Sequence, residues 1–375
     1  MDFQAVTRAL AQAGIVRPAL VLDRRRLRDN LSVLAAGLPA DHAVRLADKS
    51  IPAPDLIAAG MAGLSTDRIM SFHLPLTARV LARFPQAEVL MGKPMPAAAA
   101  AAFRRDVAGA DRVIWLIDRC EVLRDYLSLA AADGRPMRLV FEVDIGLGRG
   151  GYARPSDLAA AAGRVTAPVQ IEGLMGYEAH VSALPRLLGG QGRAGVQAMA
   201  RLSDFIAALP PGARRILNTG GSSTALAMPA GTPGNEVVVG SALVKPSDFD
   251  QPCNAALTPA LFIVTPVLKT VPHGLPGHPR LSEALRGARL IGDRIAFGWG
   301  GKWMAQPVYP AGLRPSPFYA PSSNQQGWVL PRGAPEPTVI ALRPTQSEAV
   351  IQDFAEILIH EDGRITDSWP VWPPG

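Results

Sequence analysis

Residues 138–151 read RLVFEVDIGLGRGG. A short apolar run, Arg138–Asp144, passes directly into a turn in which Gly146, Gly148, Gly150 and Gly151 surround Arg149. Working outward, runs of the same kind recur. Upstream lie His42–Leu46, Arg68–Phe72, Ala87–Met91 and Arg112–Ile117; downstream lie Ile171–Tyr177, Arg214–Asn218 and Glu236–Gly240. Amphipathic stretches such as Pro75–Arg83 and Cys120–Ala132 separate them. Apolar strands alternating with helices predict parallel pairing through right-handed crossovers. Counting Arg138–Asp144, the runs number eight, and eight strands in roughly 200 residues close a (β/α)8 TIM-type barrel.

Beyond residue 250 proline and glycine become dense, with short β-type runs at Ala260–Val267, Asp293–Phe297, Trp328–Leu330, Thr338–Leu342, Glu356–His360 and Ser368–Val371. Regularly spaced short strands with turn residues between them predict a mostly β domain. The early run Pro18–Leu22 is assigned to that domain. It precedes a helix at Arg24–Leu34 whose Leu27, Leu31 and Leu34 share one face. The expected division is a barrel at 24–245 and a β domain formed by 1–23 and 246–375.

The chain has 375 residues, 48% of them hydrophobic and 19% charged. That excludes wholesale disorder, which requires low hydrophobicity and high net charge. A net charge of +6 comes from 33 Arg and 5 Lys against 32 Asp and Glu. No basic stripe with interleaved aromatics gathers it, so no nucleic-acid partner is expected. Arginine suits planar oxyanions such as carboxylate and phosphate. The N-terminus MDFQAVTRAL lacks a targeting pattern, and no apolar run reaches the 18 residues of a membrane span. A cytoplasmic protein without membrane partners is expected. Cys120 and Cys253 are too few for a disulfide framework and are expected to be buried packing residues.

Functional residues of a (β/α)8 barrel gather at the C-terminal ends of its strands. Lys49 follows the first run; a lysine among apolar residues there can lose charge and form a Schiff base. Lys93 and Lys245 occupy similar strand-end positions and are rivals. Arg149, in the glycine turn, can donate to an oxyanion. Asn218-Thr219-Gly220-Gly221-Ser222-Ser223-Thr224 follows the seventh run. At a loop-to-helix step, glycines and hydroxyl residues cradle phosphate with backbone N–H groups and the helix dipole. Gly240 and Ser241 after the eighth run complete such a cradle. Tyr177 and His180, after the sixth, supply groups for proton transfer. Lysine, arginine and phosphate cradle in this order match the needs of pyridoxal 5′-phosphate.

Here the sequence resembles the fold-type III pyridoxal phosphate enzymes, the alanine racemase-like barrels, and most of all their D-threonine aldolase and D-serine dehydratase branch. The residues carrying the likeness are Arg17–Asp23 with Leu27–Asn30, Arg45–Lys49 for the branch's Arg-Pro-His-x-Lys, Asp144–Gly150, Gly173–Tyr177, Gly220–Thr224, Glu236 with Gly240-Ser241, and the tail Gly363–Val371. The resemblance selects Lys49 over its rivals. It implies that Arg149 contacts the ring or its phenolic oxygen, that Asn218 and Tyr177 line the pocket, and that the enzyme is a homodimer.

Departures from the branch are equally plain. Leu46 and Ala47 replace the Pro and His before the lysine. The branch's metal ligands, His-x-Cys or His-x-Asp, align with Gln346 and Glu348, and a second His-bearing segment aligns with Ser323–Gly327. Amide and carboxylate oxygens favour Mg²⁺ or Mn²⁺ over zinc, so the expectation is a site of that kind or no metal. The resemblance implies a lyase on D-β-hydroxy-α-amino acids, by retro-aldol cleavage or by elimination. An amino-acid racemase, with Lys49 and a tyrosine such as Tyr309 or Tyr319 as its two proton-transfer groups, and a non-catalytic pyridoxal phosphate carrier are the alternatives.

Overall fold

The computed structural model describes residues 1–183, 190–229 and 231–374. The chain forms two compact units, one comprising essentially Asn30–Leu243 with Phe249–Leu257, the other Met1–Asp29, Val244–Asp248 and Thr258–Pro373. Strand β1 (Ala19–Asp23) belongs to the second unit. The next eight strands build the first: β2 (Ala43–Ala47), β3 (Arg68–Ser71), β4 (Glu88–Met91), β5 (Val113–Ile117), β6 (Met137–Val143), β7 (Val169–Gly176), β8 (Ile216–Asn218) and β9 (Glu236–Val239). They close a barrel in which every neighbouring pair is parallel, and β9 returns to β2 with Ala43 opposite Glu236. All eight predicted runs are its strands.

Local chemistry explains the alternation. Every residue of β5, VIWLI, is buried, the pattern of a parallel strand covered on both faces. The helices Pro54–Gly63, Leu74–Arg83 and Pro155–Ala162 carry proline in their first turn, where its missing N–H costs nothing and its fixed φ is already helical. The barrel is not apolar throughout. Near the N-terminal ends of its strands, Arg45, Arg68, Arg138 and Arg215 interlock with Glu88, Glu172 and Glu236. The Arg45 guanidinium donates to Glu236 through Nε and Nη2, at 2.8 and 2.9 Å, and the Arg68 guanidinium reaches the same carboxylate at 3.0 Å. Burial works against the Glu88 carboxylate, but the Arg138 hydrogen bond and the charges of Arg45, Arg138 and Arg215 outweigh it and hold its pKa down to about 2.

The second unit is a nine-stranded sheet of β1 with β10 (Leu261–Pro272), β11 (Arg294–Trp299), β12 (Ala305–Tyr309), β13 (Arg314–Pro315), β14 (Gln325–Val329), β15 (Val339–Pro344), β16 (Glu356–Glu361) and β17 (Arg364–Pro370). β1 lies between β10, antiparallel, and β16, parallel, so the early run does join the C-terminal strands. A helix at Phe3–Gln12, absent from the sequence reading, covers the sheet with Val6 and Leu10 against Val21, Val264 and Leu358. Its start is fixed by Asp2, whose carboxylate accepts from the N–H groups of Gln4 and Ala5. Also unforeseen are β12, β13 and the helix Pro279–Gly287; proline-dense sequence hid regular structure. The two cysteines are half-buried rather than buried, and neither forms a disulfide.

Among the described residues no helix is long and apolar enough to cross a membrane.

Candidate active site

The site is an arc of loops at the C-terminal ends of the barrel strands, all within the first unit. After β2 the chain makes one 3-10 turn, Asp48–Ser50, which carries Lys49. Lys49 is half-buried, with its Nζ 4.9 Å from the centre of the Phe72 ring, a cation–π distance. Lys93 is exposed, and Lys245 falls in the second unit. The neighbouring Asp48 is buried completely; burial pushes its carboxyl up to about 7, only partly offset by Ser71 and Lys49.

Next along the arc is the loop after β9. A Cβ on Gly240 would lie 2.9 Å from the Ala47 carbonyl oxygen, so only glycine lets these two strand ends approach. The Gly240 N–H donates to the Ser222 hydroxyl at 3.0 Å, and the Ala242 N–H does so at 3.3 Å. This joins the β9 loop to the cradle sequence after β8. In that sequence Gly220 has φ +77°, a left-handed turn that favours glycine. The Asn254 amide and the Cys253 thiol donate to the carbonyls of Ser222 and Ser223, at 2.9 and 3.2 Å. The backbone N–H groups of Ser222 and Ser223 donate to no acceptor among the described residues. Two adjacent N–H groups in a tight turn form an anion nest. The predicted loop-to-helix step is not found: among the described residues the cradle is followed by a 3-10 turn at Ala225–Ala227 and no α-helix, so no helix dipole contributes.

A carboxylate that the sequence reading passed over organises this loop. Glu178, only 3% exposed, accepts from Thr219 Oγ1 at 2.9 Å, from the Gly220 N–H at 3.0 Å and from Thr224 Oγ1 at 2.5 Å. Thr224 Oγ1 in turn accepts from the Gly221 N–H at 3.1 Å. Its sequence signal was an acidic residue immediately after Tyr177, in a segment otherwise apolar up to His180.

Tyr177 completes the arc. A Cβ on Gly221 would come within 2.9 Å of its ring, so the cradle backbone packs closely against the tyrosine. The Arg149 guanidinium sits 5.5 Å from the centre of the same ring. Arg149 itself is exposed, on a turn braced by Asp144, whose Oδ1 accepts from the N–H groups of Gly146 and Gly148 at 2.9 and 3.0 Å. His180 presses Nε2 onto that turn, 3.1 Å from where a Cβ on Gly146 would lie, and its buried Nδ1 has no partner among the described residues. Burial also pushes the Glu142 carboxyl up, opposed by Arg149 and reinforced by the charges of Asp118 and Asp144. Asn218, 2% exposed, is fixed by donation from Nδ2 to Glu236 Oε1 at 2.9 Å.

Residues 22–248 match the family model of the alanine racemase N-terminal domain. The chain belongs to that family. Among solved structures it is similar to D-threonine aldolase from Filomicrobium marinum, at 17% identity and TM-score 0.73 over 95% of this chain and 96% of the other. It is similar to D-threo-3-hydroxyaspartate dehydratase from Delftia sp. HT23, at 16% identity and TM-score 0.71 over 96% and 98%. Alanine racemase from E. faecalis follows at 17% identity and TM-score 0.68 over 89% and 92%. Identities this low show the fold: a fold-type III barrel with its β domain. Among curated proteins none matches this chain.

Membership in the family implies an enzyme that uses pyridoxal phosphate, and the residues present fit that cofactor. The anion nest at Ser222 and Ser223 faces no protein acceptor, glycine backbones line the loops around it, and a lysine stands on the adjoining strand end. The metal pair expected from the resemblance fares differently. Gln346 Nε2 donates to Asp248 Oδ2 at 3.0 Å, in the second unit. Among the described residues no three His, Cys, Asp or Glu side chains converge to hold a metal ion. The donor set around Gln346 and Glu348 does not fit a family-type metal centre.

Proposed function

We propose that the chain is a pyridoxal phosphate-dependent lyase acting on β-hydroxy-α-amino acids of D configuration, by retro-aldol cleavage or by elimination. The observation that carries this reading is the continuous arc from Lys49 through Gly240, Ser222 and Gly221 to Tyr177 and Arg149. It supplies an amine, an anion nest and a guanidinium in one loop cluster. The likeness to D-threonine aldolase and to D-threo-3-hydroxyaspartate dehydratase favours the substrate class.

When bound, pyridoxal phosphate supplies an electron sink for the charge left on Cα as a bond to it breaks. Lys49 supplies the primary amine that holds the cofactor and, for elimination, the base that takes the Cα proton. The N–H groups of Ser222 and Ser223, with Ser241, would hold the phosphate, and Gly240 would keep the Ser222 hydroxyl in place beside it. Arg149 would donate to the ring's phenolic oxygen. Cleavage needs a base for the proton of the β-hydroxyl, and elimination needs an acid there; His180 and Tyr177 are the groups assigned to that proton. The same reading takes the enzyme as a cytoplasmic homodimer; sedimentation of the purified protein tests the dimer, and fractionation of the cells tests the compartment.

The replacement of the branch's His-x-Cys by Gln346 and Glu348 favours one second reading, a racemase, which needs no metal. Incubation with D-threonine, D-3-hydroxyaspartate and D-alanine separates the two. Release of aldehyde or oxo-acid is expected. Loss of optical rotation without release would replace the lyase by the racemase, and silence on every substrate would leave a carrier.

A further inference from the structure

An anion nest needs its backbone held in shape, and here no α-helix does so. The loop Asn218–Thr224 is followed only by the 3-10 turn Ala225–Ala227. Its inner shape is set by one buried carboxylate. Glu178 accepts hydrogen bonds from two hydroxyls and one backbone N–H of the loop, and the Thr224 hydroxyl, which it holds, accepts from a further backbone N–H. The donors of Thr219, Gly220, Gly221 and Thr224 are therefore engaged, whereas those of Ser222 and Ser223 point to no acceptor among the described residues. A carboxylate satisfied by three donors accepts charge-assisted bonds, stronger than neutral ones. Burial at 3% exposure removes the competition from water.

We infer that Glu178 is the positioning residue of the cofactor-phosphate loop, preforming its anion nest before the cofactor arrives. This rests on the reading above that the loop takes the phosphate of pyridoxal phosphate. Two charges oppose each other here, the Glu178 carboxylate and the phosphate. The carboxylate's charge is met by the two hydroxyls and the backbone N–H it accepts from, and the N–H groups of Ser222 and Ser223 stay outside those bonds.

The test uses the full chain freed of cofactor and titrated separately with pyridoxal phosphate and with pyridoxal, which has the same aldehyde and no phosphate, both followed by absorbance. Wild type is expected to prefer pyridoxal phosphate by about a hundredfold or more, as a multiply hydrogen-bonded dianion should give. Equal affinity for the two would sink the phosphate-loop reading itself. Given that preference, Glu178→Gln is expected to weaken pyridoxal phosphate about tenfold while pyridoxal moves by less than about twofold, the loss of one charge-assisted bond network. Equal weakening of both ligands, no change in either, or tighter binding of pyridoxal phosphate would each overturn the assignment. Thr224→Val, which removes one of the three donors and leaves the carboxylate in place, guards against a Glu178 variant that fails to fold. It is expected to lose affinity for the phosphorylated ligand selectively, and unchanged selectivity would overturn the assignment as well.

Discussion

Arg45 and Asn218 meet on one oxygen: Arg45 Nε and Asn218 Nδ2 both donate to Glu236 Oε1, at 2.8 and 2.9 Å. The contact joins the ion layer inside the barrel to a residue of the candidate active site. Both Arg45 and Glu236 side chains are fully buried, and removing one member of a buried pair leaves the other charge uncompensated. Glu236→Gln is expected to destabilise the protein by about 3 kcal/mol, measured by urea unfolding. A loss under about 1 kcal/mol would show that Glu88 compensates Arg45 without it.

Glu88 makes the same layer sensitive to acid. Its folded pKa, about 2, lies below the unfolded value, so its contribution is present above about pH 4 and is lost as pH falls toward 2. Melting temperature should therefore fall more steeply over that interval in wild type than in Glu88→Gln. Parallel curves would refute the assignment.

Asp48 works in the opposite sense. Its folded pKa is raised to about 7, so the stability it permits is full below about pH 4 and is lost as pH rises through 7. Asp48→Asn should melt higher than wild type at pH 8, with the gain shrinking on acidification and vanishing near pH 4. A gain independent of pH would mean that the benefit is packing rather than charge.

Lys49 is expected to be the attachment point of the cofactor. The purified protein should be yellow, borohydride should fix a pyridoxyl group on the peptide containing Lys49, and Lys49→Ala should be colourless. Label on Lys93 or Lys245 would move the site.

Gly240→Ala should weaken pyridoxal phosphate about tenfold, because the new Cβ meets the Ala47 carbonyl at 2.9 Å and must displace the Ser222 contact. Titration of the cofactor-free protein measures it. Unchanged affinity would show that the loop yields without cost.

The barrel was legible because parallel strands covered on both faces must be apolar, and eight such runs stand out against helices of a different period. The β domain was legible only in part. The helix Phe3–Gln12 gains its stability from the sheet beneath it, and β12 and β13 are strands because β15 and β14 offer them hydrogen bonds. Neither property is local. The surplus of arginine suggested small anionic ligands. Much of it serves the protein's own carboxylates and carbonyls: four arginines fill the barrel layer, and Arg112 and Arg214 tie down the carbonyls of Phe84 and Leu209.

By itself the sequence determined the fold class and the order of the candidate site residues, Lys49, Arg149, Tyr177 and the Gly220–Thr224 loop, since strand periodicity and glycine turns are encoded within a few residues. Only the tertiary structure decided which groups those residues meet. Glu178 gained its place because folding brings β7 beside β8 and buries a carboxylate under a loop some forty residues away. Burial and hydrogen bonding between distant segments turn an unremarked acidic residue into the support of an anion nest, and no local pattern encodes that.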